Sequence, residues 1–159
     1  MSSVHRHTLV NLVNEHRWMR GAELGVDKGI LFGALLRGCP QLELVGVDVF
    51  PDRERSHRAF DLVKEFTERA KLLEMPTRKA INWVDDGEFD FVFIDADHSY
   101  EAVKEDIKLW EPKVGLGGWI GGHDYHPRKF PGVVKAVDEA CEGKTTIIHY
   151  PGTIWGVFL

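Results

Sequence analysis

The sequence predicts one α/β domain, built on a doubly wound, mostly parallel sheet with an antiparallel hairpin at its carboxyl end. Short apolar segments alternate with segments of helical periodicity, which is the pattern of parallel βαβ units with helices on both faces of a sheet. The last two predicted strands are joined by very few residues, so they must pair antiparallel, because a parallel return needs about a dozen residues. At 159 residues the chain is expected to form a single domain with one hydrophobic core.

The first half of the chain predicts a leading helix followed by alternating strands and helices. Leu9, Leu12 and Val13 stand at helical spacing between polar residues, so an amphipathic helix precedes the sheet within residues 1–18. Glycine, proline and valine-rich runs mark the later boundaries. In order, we expect a helix at 4–18, a strand at 19–25, a helix at 28–36, a strand at 42–49, a charged helix of about 17 residues at 53–69 and a weak strand at 71–75.

The second half continues the alternation and then closes with two strands. Pro76 suits the first turn of a short helix that ends at Gly87, and Ser99 can cap a longer helix. A group of three glycines (Gly115, Gly117 and Gly118) is expected to turn the chain into the next strand. In order, we expect a strand at 89–95, a helix at 99–113, a strand at 119–122, a helix at 133–141 and short strands at 145–150 and 153–158.

The composition excludes several classes of protein. Hydrophobic residues make up 43% and charged residues 28%, which is an ordinary globular balance. The net charge of -5 argues against a general nucleic-acid binder, which needs a basic surface. No apolar run is long enough for a signal peptide or a membrane span, and Cys39 and Cys141 are expected to be buried thiols in a reducing compartment. We therefore expect a cytoplasmic protein whose partner is a small molecule rather than a nucleic acid or a membrane.

A glycine loop and an acidic residue follow the first two predicted strands. The loop runs from Glu23 to Gly29 and contains Gly25, so a ligand can approach backbone N–H groups at the start of a helix. Asp48 ends the second strand about 20 residues later, at the position where this class of sheet binds a ribose. A tight turn and a helix cap are the alternative interpretations of these residues.

The ligand of this loop is predicted to be cationic. Glu23 stands where a dinucleotide-binding G-x-G-x-x-G loop has its first glycine, and a carboxylate repels a pyrophosphate. The same carboxylate can bind a ligand that carries an amino group. A nicotinamide-dependent oxidoreductase and a non-catalytic nucleoside-binding subunit stay as alternatives, since a fold does not establish an activity.

The glycine loop and a later segment together resemble a known family. Glu23, Gly25 and Gly29 are similar to the acidic-x-Gly-x-x-x-Gly motif of class I S-adenosylmethionine-dependent methyltransferases, which have a Rossmann-like fold. Residues 89–125 resemble the small-molecule O-methyltransferases related to macrocin and cephalosporin-pathway enzymes. The resemblance implies methyl transfer from S-adenosylmethionine to a small-molecule acceptor, at a hydroxyl oxygen or less often at a nitrogen.

The same resemblance implies where the cofactor binds. Glu23 and the loop from Gly25 to Gly29 would hold its methionine end, and Asp48 its ribose. The adenine would lie near Met75 or near the turn at 85–86. Asp95 is also expected among the cofactor-binding residues.

A second group of polar residues follows the fourth and fifth predicted strands. Asp95, His98, His123 and Asp124 all fall at the carboxyl edge of the sheet, where ligands of such sheets bind. The resemblance implies a divalent metal held by Asp95, His123 and Asp124, with His98 as the general base. His123 replaces the acidic residue usual in the family, and an imidazole prefers transition metals to magnesium. The alternative is that these residues are helix caps and solvated loop side chains.

The acceptor pocket is expected to need a cover. The chain is short, and exclusion of water strengthens the electrostatics of a site. We therefore predict that the loop 125–130, or a second copy of the chain in a homodimer, closes the pocket.

Overall fold

The computed structural model describes residues 3–143 and 145–159, and within these ranges it contains six α-helices and seven strands. None of these helices has both the length and the apolar character that crossing a membrane requires. The helices are α1 (Ser3–His16), α2 (Ile30–Gly38), α3 (Arg53–Glu65), α4 (Thr77–Ala80), α5 (Tyr100–Trp110) and α6 (Pro131–Cys141). The strands are β1 (Arg20–Leu24), β2 (Glu43–Asp48), β3 (Ala70–Glu74), β4 (Phe89–Ile94), β5 (Val114–Gly122), β6 (Ile148–Tyr150) and β7 (Ile154–Phe158).

One sheet carries all of these strands, in the order β3-β2-β1-β4-β5-β7-β6. The first five strands are parallel, and β7 runs antiparallel to both β5 and β6. The predicted doubly wound sheet with an antiparallel hairpin is therefore confirmed. The chain builds the sheet outward from β1 to β3 and then returns to place β4 on the other side of β1. This reversal leaves a crevice at the carboxyl ends of β1 and β4, which is where open α/β sheets bind ligands.

The sheet separates two hydrophobic layers. In β4, Val92 and Ile94 pack with α5 and α6, whereas Phe91 and Phe93 point to the opposite layer with α1 and α2. Successive side chains of a strand point to opposite faces, so a strand that is apolar at every position is buried on both sides. All four of these side chains are buried, as are Cys39 and Cys141, which form no disulfide.

Several predicted boundaries differ from the observed ones, and contacts with neighbouring elements explain two of them. The helix expected at 53–69 ends at Glu65, because the backbone of Phe66 leaves helical geometry. Arg69 then donates hydrogen bonds to the carbonyls of Leu36 and Leu42 and so holds the end of α2. The strand expected at 119–122 begins earlier, at Val114, and the intervening glycines form a bulge in its pairing with β4.

The indole of Trp119 packs over two glycines, Gly121 and Gly156. It is fully buried and lies over Gly156 of the neighbouring β7. A Cβ atom at Gly156 would lie 2.1 Å from Cζ2 of Trp119. Glycine is therefore required here by the close approach of the indole to the backbone.

We expect Gly156→Ala to destabilise the protein by about 1 to 3 kcal/mol, because the added methyl group forces the buried indole out of its position. The measurement is the urea midpoint of unfolding. Leu116→Ala is the control, since Leu116 is fully exposed and its truncation removes no buried contact. Gly156→Ala should lower the midpoint less when it is introduced into a Trp119→Phe background. An unchanged midpoint in Gly156→Ala alone would contradict this packing argument.

Candidate active site

A cleft of about 570 Å³ opens at the carboxyl ends of β1, β2 and β4. Five residues predicted for the site from the sequence line this cleft, namely Gly25, Asp48, Met75, Asp95 and His98. The topology therefore brings together residues that are far apart in the chain, as the rule for parallel sheets predicts. Residues not predicted from the sequence also line it, among them Arg55, Thr77, Arg78, Glu105 and Asp106.

The glycine turn after β1 allows two strand ends to approach closely. Gly25 has a φ of 91°, and a Cβ atom there would lie 2.2 Å from the carbonyl oxygen of Asp95. Gly29 also has a positive φ, of 73°, but a Cβ atom there would meet Leu62 of α3 at 2.6 Å. Gly25 thus shapes the floor of the cleft, whereas the space at Gly29 is needed for packing between α2 and α3.

Glu23 is a buried carboxyl directly beneath this turn. Its side chain is 1% exposed, and among the described residues its Oε2 atom has no hydrogen-bond partner. Burial raises the pKa of Glu23 well above its ordinary value, and the charges of Asp95 and Asp48 raise it further. Since both of those residues line the cleft, Glu23 lies within electrostatic reach of a ligand there. A buried, unpaired carboxylate is stabilised by a cation.

Asp48 organises the two loops beside the cleft. Its Oδ2 atom accepts a hydrogen bond of 2.8 Å from the N–H of Asp27, and its Oδ1 atom accepts one of 2.6 Å from the N–H of Phe50. Each carboxylate oxygen has a second lone pair, so Asp48 can still accept hydrogen bonds from a ligand. Arg55 of α3 forms a 2.7 Å ion pair with Asp27 at the rim of the cleft.

The far end of the cleft carries a second buried carboxyl. Asp106 of α5 is 3% exposed and accepts a 2.6 Å hydrogen bond from the hydroxyl of Thr77, which follows β3. Burial raises the pKa of Asp106 to about 6. Thr77 could have been found from the sequence, because it follows a strand end at the same edge of the sheet. Asp106 gives no such signal, since it lies in the middle of a helix.

The turn at 85–86, one of the two places expected for the adenine, does not line the cleft. Asp86 forms an ion pair with Lys113 beside the amino end of β4. The chain has by then crossed from the carboxyl end of β3 to the opposite edge of the sheet. Met75 precedes that crossing and does line the cleft.

The second predicted group of residues converges where β4 and β5 end. His98 Nε2 lies 2.9 Å from Oδ2 of Asp124 and 3.4 Å from Oδ1 of Asp95. His123 Nδ1 lies 3.2 Å from Oδ1 of Asp124 and 3.5 Å from Oδ1 of Asp95. The two carboxylates are therefore flanked by two imidazoles. This convergence argues against isolated helix caps, which would not need to meet.

The contacts in this cluster shift the pKa values of Asp95 and His98. Burial acts to raise the pKa of Asp95, but hydrogen bonds from His123 and His98 outweigh it, and the pKa of Asp95 is lowered. The hydrogen bond to Asp95 raises the pKa of His98. Asp95, His98 and Asp124 offer one ligand atom each within 4.8 Å of one another, which is close enough to hold a metal ion. This set contains His98, which was predicted to be the base, and leaves out His123, which was predicted to be a ligand. The mixture of carboxylate oxygens and imidazole nitrogens suits a divalent transition metal.

A second cavity, of about 440 Å³, adjoins the cluster on the side away from the cleft. Asp95 lines both cavities, so it marks the boundary between them. The second cavity is also lined by residues of the loop 125–130 and by His5 of α1. In that loop the ring of Phe130 stacks on His98, with ring centroids 4.9 Å apart. Two adjoining cavities with a charged cluster between them can hold a cofactor and a second small molecule.

Comparisons with known proteins agree with this arrangement. A family model described as a methyltransferase domain matches residues 22–125, which include both groups of predicted residues. None of the curated proteins is similar enough to count as a match. Similar solved structures include the O-methyltransferase TomG from Streptomyces achromogenes, involved in tomaymycin synthesis, in complex with SAM, and the O-methyltransferase from Bacillus cereus in complex with SAH.

These two structures share the fold of the whole chain. The first has 18% identity and a TM-score of 0.78, and the alignment covers 100% of this chain and 80% of that one. The second has 19% identity and a TM-score of 0.75, with coverage of 100% and 82%. The family match confirms the resemblance to methyltransferases, and the narrower resemblance drawn from residues 89–125 stays a prediction. The chain belongs to the methyltransferase domain family.

Proposed function

We propose that this protein transfers a methyl group from S-adenosylmethionine to a hydroxyl oxygen of a small molecule. Membership of the methyltransferase domain family supports methyl transfer over the nicotinamide-dependent oxidoreductase considered from the sequence. Two similar structures carry SAM and SAH, which supports the choice of cofactor. The net charge of -5 supports a small acceptor rather than a nucleic acid.

The observation that carries the proposal is the buried, unpaired carboxyl of Glu23. When bound, S-adenosylmethionine supplies a methyl group on a positively charged sulfur, and it also has an amino group. The amino end of such a cation can pair with the Oε2 atom of Glu23, which has no partner among the described residues. The turn at Gly25 has no side chain that would block its approach. The same carboxylate would repel a pyrophosphate.

The predicted binding residues divide along the length of the cleft, with Glu23 beneath the cleft rather than in its lining. Glu23 and the loop from Gly25 to Gly29 bind the methionine end, and Asp48 accepts hydrogen bonds from the ribose hydroxyls. Met75 packs against the adenine. Asp95 lies where the cleft meets the second cavity and completes the cofactor-binding set.

The acceptor binds in the second cavity, and the cluster at the boundary prepares its hydroxyl. Asp95, His123 and Asp124 would hold a divalent metal, since Nδ1 of His123 lies 3.5 and 3.2 Å from the two carboxylates. Such a metal would lower the pKa of a hydroxyl beside it. His98 is the general base, because it lines the cofactor cleft and its Nε2 atom lies beside both carboxylates at the boundary of the two cavities. Asp124 Oδ2, 2.9 Å from His98 Nε2, stabilises the imidazolium that forms when His98 accepts the proton.

The loop 125–130 supports the prediction of a covered pocket. His126 and Lys129 line the second cavity, and the hydroxyl of Tyr125 donates a 2.6 Å hydrogen bond to Asp138 of α6. These contacts hold the loop beside the cluster. Closure by this loop or by a partner copy in a homodimer stays a prediction.

We expect Glu23→Gln to weaken S-adenosylmethionine binding by about 1.5 to 3 kcal/mol, because a charge-assisted hydrogen bond to the amino group is lost. The same change should stabilise the cofactor-free protein at neutral pH. The folded-state pKa of Glu23 is raised, so its stabilising contribution is complete below about pH 4 and is lost as the pH rises. Calorimetry measures the affinity, and urea unfolding from about pH 4 to pH 8 measures the stability.

Glu68→Gln is the matched control, since Glu68 is exposed and the chemical change is the same. It should leave both affinity and stability unchanged. Wild-type protein that binds nicotinamide dinucleotide but neither S-adenosylmethionine nor S-adenosylhomocysteine would falsify the proposed function.

We expect Asp48→Ala to weaken cofactor binding by about 1.5 to 3 kcal/mol, because the ribose loses a charged acceptor. The calorimetric affinity for S-adenosylhomocysteine is the measurement. Asp61→Ala on the exposed side of α3 is the control, and it removes only a surface ion pair with Lys64. Equal affinities for the two variants would exclude Asp48 from the ribose site.

We expect His98→Ala to lower turnover by about 10²- to 10⁴-fold with little change in cofactor affinity, because general base catalysis contributes about that much. Formation of S-adenosylhomocysteine with an acceptor that the wild type methylates is the measurement. His57→Ala, an exposed histidine on α3, is the control. Wild-type turnover in His98→Ala would leave His98 with no role in proton transfer.

A further inference from the structure

The amino-terminal helix reaches the second cavity through one side chain. His5 of α1 lines that cavity together with His123 and Thr153. Its Nε2 atom lies 3.0 Å from Nε2 of His123, and the ring centroids are 3.9 Å apart with the planes tilted by 57°. The two residues are 118 positions apart in the sequence.

The turn between β6 and β7 makes room for the His5 ring. Gly152 has a φ of 86°, and a Cβ atom there would lie 2.2 Å from Cδ2 of His5. The hydroxyl of Thr8, one turn further along α1, lies 3.5 Å from the carbonyl oxygen of Pro151. The helix is therefore docked on this turn with its His5 ring inserted between Gly152 and His123.

The insertion of the His5 ring buries a polar atom at a cost in free energy, which packing alone does not explain. The Nδ1 atom of His5 is buried and, among the described residues, has no hydrogen-bond partner. An apolar side chain would fill the same space without burying an unpaired polar atom. The feature that His5 contributes and an apolar side chain lacks is Nε2, which meets His123.

The two nitrogens of His123 face different partners. Nδ1 faces the carboxylates of Asp124 and Asp95, at 3.2 and 3.5 Å. Nε2 faces His5 at 3.0 Å and, at the longer distance of 3.4 Å, the hydroxyl of Thr153. An imidazole nitrogen binds a metal through its lone pair, so its proton must sit on the other nitrogen. If Nδ1 of His123 is a ligand, its Nε2 carries hydrogen and needs an acceptor.

We propose that His5 is that acceptor, and that it is a positioning residue for a transition-metal site at Asp95, His123 and Asp124. This inference rests on the metal site of the proposed function and deepens it. His5 holds His123 in the tautomer that presents the Nδ1 lone pair to the space between the two carboxylates. Outer partners of this kind fix the orientation of a ligating imidazole and increase its basicity. The helix α1 thereby forms part of the metal site.

The test is a titration with Co²⁺ alone, followed by its visible absorption, which reports the ligand field without any need for turnover. His5→Leu and His5→Gln form a matched pair, since both fill space but only glutamine offers an acceptor. We expect His5→Leu to weaken Co²⁺ binding by about 10- to 100-fold and to change the spectrum. His5→Gln should recover part of the affinity.

Two variants calibrate the titration. His7→Ala should match the wild type, because His7 is exposed on α1 and its Nδ1 atom lies 2.7 Å from the carbonyl oxygen of Ser3. Asp124→Ala should lose Co²⁺ binding. All variants should keep wild-type affinity for S-adenosylhomocysteine, which shows that the fold and the cofactor cleft are intact.

The outcomes separate this inference from the proposed function. Wild-type affinity and spectrum in His5→Leu would overturn the role of His5 and leave the metal site standing. Equal losses in His5→Leu and His5→Gln would assign His5 to packing and also overturn the inference. Wild-type protein that binds S-adenosylhomocysteine but no Co²⁺ would overturn both the metal site and this inference, and would leave the cofactor site intact.

Discussion

The close approach of β1 and β4 at Gly25 is the constraint on which the rest of the site depends. The N–H of Asp95 donates to the carbonyl of Leu24, and the N–H of Gly25 donates to the carbonyl of Val47. These two bonds join the ends of three neighbouring strands. No residue with a side chain fits at Gly25, because its Cβ would overlap the backbone of Asp95. The crevice at the reversal of strand order is therefore lined by backbone groups and by the residues that end each strand.

This arrangement concentrates negative charge at one edge of an apolar core. Glu23, Asp48 and Asp95 come from the ends of three adjacent strands, and burial, with added repulsion from Asp95 and Asp48, raises the pKa of Glu23. Imidazoles compensate Asp95, and backbone N–H groups compensate Asp48. Glu23 has no such partner among the described residues. The electrostatics of the fold thus favour a cation beside Glu23 and another between the carboxylates of Asp95 and Asp124.

Much of the fold follows from patterns that lie within a few residues of one another. Apolar runs such as β4 and helix boundaries such as Ser99, whose side chain caps α5, are local features of the sequence. The doubly wound sheet and the closing hairpin could therefore be predicted. The helix α3 was predicted too long because its charged run continues past Glu65. Its end depends on Phe66 and on the contacts of Arg69 with α2, which are tertiary. The bulge in β5 likewise depends on its register against β4.

The sequence by itself determined which residues end the strands, and hence that Glu23, Asp48, Asp95, His98 and Asp124 lie at one edge of the sheet. It could do so because strand ends in a parallel sheet share that edge whatever the loops do. Only the tertiary structure decided which atoms meet. It brought Asp106 from the middle of a helix into the cleft and His5 from the first helix onto His123. Such contacts depend on how helices dock on the finished sheet, and no spacing along the chain encodes that docking.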